Sequence, residues 1–173
     1  MKNIQNNNES GSTLKDDGKN SKSSVSMYKR FVIMAVGMFI AMYFIMFSMI
    51  DGLDNLVFNI NNVYMTLLMT SAMLLLELLI MNIMYTNRKI NWGITAISLA
   101  VGIFSWFGIR QQINVGDKQF VKGMIPHHAA AILMSEKAKL TDPELIKLKN
   151  EIIEAQEAEI DFMKHKLKEL KNN

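Results

Sequence analysis

FVIMAVGMFIAMYFIMFSMI, residues 31–50, decides the fold. It carries no charged side chain. As a helix rising about 1.5 Å per residue it is roughly 30 Å long, the thickness of a bilayer's hydrocarbon. Hydrocarbon offers no partner to backbone N–H and C=O groups, so a lone span must be helical. Residues 63–85 and 92–109 read the same way. Tyr28, Tyr64, Tyr85, Trp92 and Trp106 fall near the ends of these segments, where aromatic rings favour the membrane interface. An all-α, multi-pass membrane protein with a three-helix membrane region over 31–109 is expected.

The flanks differ sharply from this centre. Residues 1–28 are rich in Asn, Ser, Lys and Gly and bury almost nothing, so a disordered cytoplasmic tail is expected over 1–30. Its apolar stretch begins too late for a cleavable signal peptide. Lys29 and Arg30 precede the first span, and Arg88 and Lys89 lie between the second and third. The connection 51–62 holds Asp51 and Asp54 and no Lys or Arg. Positive residues stay cytoplasmic, which places the N-terminus inside and residues 110–173 outside, in the periplasm or at the cell surface.

Composition excludes several classes. The net charge of +3 is too small, and too little clustered, for a nucleic-acid binder. No cysteine is present, which removes disulfides, thiolate metal sites and thiol nucleophiles. No Ser-His-Asp set, phosphate loop or dinucleotide fingerprint appears, so the chain is not expected to be an enzyme. Within the spans Glu77 is the one deep ionisable residue, and an intramembrane carboxylate is a functional candidate by default. Its simpler role is a neutral or hydrogen-bonded group, with Ser98 a candidate partner. Met34, Met38, Met42 and Met46 form a helical stripe, as do Met65, Met69 and Met73. Thioethers there suit either a soft-metal path or adaptable helix packing, and packing is the simpler reading.

Residues 110–173 read as two helices. Asp117 can cap the first, Pro126 should interrupt or kink it, and it should resume at His127 and run to about Leu140. Thr141 as N-cap, Glu144 three residues on and Pro143 in the first turn mark the second start. Leu145, Leu148, Ile152, Ala155, Met163, Leu167 and Leu170 carry the second helix to about Leu170. The short connection makes the pair antiparallel. A hairpin of about 55 residues buries little core. It is therefore expected to pack on the membrane helices or to pair with a second copy, as a homo-oligomer of four-helix-bundle type.

The chemistry lies in Met124-Ile-Pro-His127-His128, followed by Met134. Gln156, Glu159 and Met163 form a stripe across the turn. Thioether and imidazole without thiolate suit Cu(I) or Ag(I), whereas zinc wants more His, Cys or carboxylate ligands. A di-iron bundle needs paired Glu-x-x-His motifs, and none occurs. By spacing alone, a metal site and a packed helix-start motif both remain open.

The pattern Asp117, Phe120, Met124-Ile-Pro-His127-His128, Ala131-Ile132, Met134, Pro143, Ile152, Gln156 and Glu159-Ile160-x-x-Met163 resembles the bacterial family called domain of unknown function 305. The resemblance covers about residues 117–163. It implies a ferritin-like or four-helix-bundle type domain outside the cytoplasmic membrane of a bacterial cell. It also implies copper(I) or silver(I) binding through Met124, His127, His128, Met134 and Met163, with Gln156 and Glu159 supporting them. Sequestration or resistance, and transfer to a metal exporter, are the roles implied. The chain departs from the family at Ala130, where relatives often carry Met, and at Lys166, near the place of a family tryptophan. The alternative is a structural membrane protein whose C-terminal hairpin self-associates.

Overall fold

The structure, a computed structural model, describes residues 10–172 apart from 82 and 86, with side-chain surroundings from residue 26 onward. Five helices follow one another: α1 Ser10–Ile45, α2 Ile60–Ile80, α3 Arg88–Gln111, α4 Asp117–Lys137 and α5 Pro143–Asn172. A short 3-10 turn, Leu53–Asn55, lies between α1 and α2, and no strand occurs among the described residues. Three segments, Ser26–Ile45, Ile60–Ile80 and Arg88–Gln111, are long and apolar enough to cross a membrane. Their outer surfaces are oily: Ile33, Leu79 and Trp92 are each more than 70% exposed. In a bilayer such side chains face lipid.

The boundaries differ from expectation in physically readable ways. Disorder was expected over residues 1–28, but from Ser10 the chain is helical. Extending a formed helix costs far less than nucleating one, so the apolar span can propagate its helix N-terminally. Residues 1–9, which complete the expected tail, lie outside the described residues. At its other end α1 stops at Ile45 rather than Ile50. There the chain turns back, and Tyr43 and Phe47 pack on Phe58 with ring centroids 5.9 Å apart in each pair. Asn59 caps α2 by accepting from the Asn62 N–H at 2.9 Å. Asn87 caps α3 by accepting from the Lys89 and Ile90 N–H groups.

Helices α2 and α3 pack closely because small residues let them. A Cβ on Gly102 would sit 2.8 Å from the Ser71 hydroxyl, and one on Gly108 would sit 3.0 Å from the Tyr64 ring. Ser98 and Ser105 are buried along the same contact. Small side chains are the usual device where lipid removes the hydrophobic drive between helices. The Tyr64 hydroxyl then donates to the Ile113 carbonyl at 3.0 Å, tying α2 to the chain just past α3. The first methionine stripe serves packing: the Met46 and Met42 sulfurs lie 3.5 and 3.9 Å from the Thr66 and Thr70 hydroxyls of α2. The second stripe, Met65, Met69 and Met73, is exposed.

Beyond α3 the chain makes the expected antiparallel hairpin. Its core is Val121, Ile125, Ala129 and Ile132 of α4 against Ile160, Met163 and Leu167 of α5. Two details correct the expected starts. Asp142, not Thr141, caps α5, accepting from the Leu145 N–H at 3.0 Å, and Pro143 takes the first helical position. Helix α4 runs unbroken through Pro126. An internal proline costs about 3 kcal/mol. Ile125 and Ala129 are 0% exposed and Ile132 is 2% exposed, and each buried large aliphatic side chain contributes ~1.5–3 kcal/mol, which outweighs that cost. The hairpin meets the membrane part around the loop before α2. Ile50 and Val57 pack on its core, and Gln119 accepts from the Ile60 N–H at 3.3 Å.

The close α2–α3 approach predicts that Gly108→Leu destabilises the detergent-solubilised chain by about 1–3 kcal/mol, through overpacking against Tyr64. Gly37→Leu, whose Cβ meets nothing within 4 Å, should leave the thermal midpoint unchanged. Equal midpoints for the two variants would contradict the packing described.

Candidate functional site

Helical phase sorts the candidate residues before any contact is considered. Successive side chains on α4 turn by about 100°. Ile125, Ala129 and Ile132 face α5, so His128 lies at the edge of that face and His127 lies away from it. His128 is accordingly buried and His127 exposed. Met134 is 55% exposed, whereas Met163 is 7% exposed within the hairpin core and Met124 packs half-buried against the same core.

Both ring nitrogens of His128 face acceptors. Nδ1 lies 3.0 Å from the Met124 carbonyl oxygen, and Nε2 lies 2.6 Å from Glu159 Oε2. A carbonyl only accepts, so Nδ1 carries a proton. The Nε2 contact then holds one proton between imidazole and carboxylate. Gln156 donates to the same Glu159 oxygen at 3.5 Å, one turn earlier on α5. The Gln-x-x-Glu spacing thus aims one carboxylate across the hairpin at one imidazole. Glu159, expected beside Gln156 as support for the Met and His residues, is the direct partner of His128.

The five expected ligands therefore divide. His128 joins α4 to α5, with Met124 and Met163 packed in the hairpin core, while His127 and Met134 sit on the open face of α4. The two imidazole centroids are 6.1 Å apart and the rings are inclined by 61°. Among the described residues no three of His, Asp and Glu stand together as a metal-binding group. The side-chain groups nearest His128 are the Glu159 carboxylate, at 2.6 Å, and the His127 ring. Lys166 instead pairs with Glu169 at 2.7 Å. That hydrogen bond holds the Lys166 ammonium above its ordinary range and the Glu169 carboxyl below its own.

The intramembrane candidate also has a different partner from the one expected. Glu77 accepts from the Tyr85 hydroxyl at 2.7 Å rather than from Ser98. Tyr85 lies in the turn after α2 and packs on Tyr28 and Phe31, each ring centroid 5.5 Å away. Asn91 donates to the Tyr85 carbonyl at 2.7 Å and accepts from the Tyr28 hydroxyl at 2.7 Å. Glu77 is thus part of a knot that closes one end of the helix bundle. Sequence distance hid this partner, because the turn that carries Tyr85 was expected to be the end of the span.

The His128–Glu159 contact predicts measurable coupling. In a double-mutant cycle of His128→Ala and Glu159→Ala, read by chemical unfolding of the hairpin, the coupling energy should be about 1 kcal/mol, since Glu159 is more than half exposed and its charge is screened. Strict additivity would show that the contact stabilises nothing.

The family model described as Domain of unknown function (DUF305) matches residues 110–167, which are the end of α3, α4 and most of α5. The chain is also similar to "Uncharacterized protein L153" of Acanthamoeba polyphaga mimivirus, 31% identical over 147 residues, covering 81% of this chain and 92% of that protein. So long a match extends well beyond the hairpin into the apolar helices. No solved structure matches the chain. With its Met-x-Pro-His-His helix paired to the Gln-x-x-Glu helix, and with this likeness along nearly the full length of a relative, the chain belongs to the family described as Domain of unknown function (DUF305).

Proposed function

We propose that the chain is a membrane-anchored protein that binds a soft monovalent metal ion, Cu(I) or Ag(I), on the side of the membrane away from the cytoplasm. The ion is its cargo, held for sequestration or passed to an exporter. The observation that carries this reading is the setting of His128. Its Nδ1–H donates to the Met124 carbonyl at 3.0 Å, an arrangement that fixes the tautomer of a ligating imidazole and leaves Nε2 for the ion. An arriving ion takes the place of the proton shared with Glu159, and the carboxylate remains beside it as a neutralising charge. Met124 and His127, within one turn, are the nearest further donors. Met134 and Met163 lie on different sides of α4 and complete the set only through rearrangement or a second chain.

Orientation is read from charge. The Tyr28–Asn91 bond keeps the start of the apolar part of α1 beside the start of α3, so Lys29, Arg30, Arg88 and Lys89 share one end of the bundle. Lys and Arg concentrate on the cytoplasmic side, which leaves the hairpin outside.

A second reading is favoured by the same residue. Both His128 nitrogens are already engaged, so the pair with Glu159 can be a purely structural clamp in a hairpin that serves assembly. Anaerobic competition for Cu(I) against a chromophoric chelator, on the full-length chain in detergent, separates the two. The metal reading predicts at least tenfold weaker binding in His127→Ala/His128→Ala, and also in Met124→Leu, which keeps the packing volume. Unchanged ion affinity alongside lower thermal stability would leave the structural reading in its place.

A further inference from the structure

The hairpin is apolar on two sides, and its own core uses one of them. Phe120 and Met134 of α4, and Leu145, Leu148 and Phe162 of α5, are 48–70% exposed. They lie beyond the three helices that are long and apolar enough to cross a membrane. On α4 the exposed Phe120, His127 and Met134 recur every seven residues, and the half-buried Met124 and Ala131 fall between them at alternating spacings of four and three. On α5 Leu148, Ile152, Ala155, Glu159 and Phe162 recur at the same alternating spacings. Such alternation is the pattern of a helix seam that meets another helix. Because His128 touches Glu159, the residues one turn from them share that side of the hairpin. Met124 and Ala131 on α4, and Ala155 and Phe162 on α5, therefore belong to one continuous face.

We propose that this face binds the same face of a second copy, forming a four-helix bundle in which α4 of one protomer packs antiparallel on α5 of its partner. The membrane limits the symmetry. Two copies anchored in one bilayer are related by an axis along its normal, so equivalent residues stand level. The α4 start contacts the loop before α2, and α5 runs back toward it, so α4 meets α5 of the partner antiparallel. The His128–Glu159 contact sets the register. At that register the one polar residue of the α4 seam, His127, falls beside the partner's Glu159, and Met134 falls beside the partner's Ile152.

Charge runs the same way. Residues 151–161 of α5 hold five acidic side chains and no basic one, and Lys164, Lys166, Lys168 and Lys171 follow. Helix α4 begins with Asp117 and ends with Lys137, and among the described residues neither makes an ion pair. The antiparallel arrangement sets Lys137 near the partner's Glu151 and Asp117 near the partner's lysine-rich end. Two helices overlapping by about 20 residues present a face roughly 30 Å by 20 Å, or on the order of 1,200 Å² in total for the pair, which reaches the range of specific interfaces. The pairing does not rest on metal binding, although it would bring His127 and Met134 of one protomer to the partner's Glu159.

The chain has no cysteine of its own, so single cysteines report the contact directly. Two differently tagged full-length chains, Ala131→Cys and Ala155→Cys, are co-expressed, and their membranes are treated with a metal-free oxidant. A disulfide joining the two tags is expected, and at least tenfold less when Glu154→Cys, on the other side of α5, replaces Ala155→Cys. Phe162 is 70% exposed, so Phe162→Glu should leave helicity intact while reducing the cross-link and the dimer mass in detergent at least tenfold. Equal cross-linking through Glu154→Cys, a monomer mass for the unaltered chain, or a dimer indifferent to Phe162→Glu would each overturn the proposal. None of these readouts involves metal, so they stand whatever the Cu(I) titration returns.

Discussion

A backbone amide in hydrocarbon has no water to bond, and much of this molecule follows from that constraint. It makes each long apolar run a helix and leaves nothing between the helices for the hydrophobic effect to expel. Contact between α2 and α3 comes instead from shape. Gly102 and Gly108 admit Ser71 and the Tyr64 ring, and buried serines line the seam. Helix α1 is held more loosely, by threonine hydroxyls against methionine sulfurs and by aromatic clusters at either end. Other polar side chains close the ends of the bundle. Glu77, Tyr85, Tyr28 and Asn91 form one such closure, and the asparagine caps of α2 and α3 form others.

Outside the bundle the physics changes, and so does the device. Water restores the hydrophobic effect, and α4 and α5 pair through Ile125, Ile132, Ile160 and Met163. That core is strong enough to carry a proline through the middle of α4. At its edge sits a polar contact across the hairpin, His128 to Glu159. The same contact aligns the two helices and positions the imidazole that the proposed chemistry would use. A residue in that position serves stability and ligand binding with the same geometry, and the two readings of the hairpin differ only in whether an ion replaces the shared proton.

The candidate donors divide between the inside and the outside of the hairpin. One chain brings His128, Met124 and Met163 inward and leaves His127 and Met134 outward. Both residues of the outward pair are exposed. On the proposed pairing such a hairpin would be half of a bundle, which would give a physical meaning to the low core content of so short a domain.

The three apolar helices, the antiparallel hairpin and the Met-x-Pro-His-His candidate were all legible in the residue order. Each is a local property: run length against bilayer thickness, turn chemistry, and motif spacing along one helix. Start and stop positions were legible only to within a few residues, because neighbours compete for the same cap, as Thr141 and Asp142 do, and because Pro126 yields to burial that no local rule counts. What the order of residues could not determine was pairing across distance. That Glu77 meets Tyr85, that Glu159 rather than a thioether faces His128, and that Met134 and Met163 part to opposite sides of α4 all depend on the phase at which two helices meet. Phase is decided by how whole faces pack, and only the tertiary structure carries that sum.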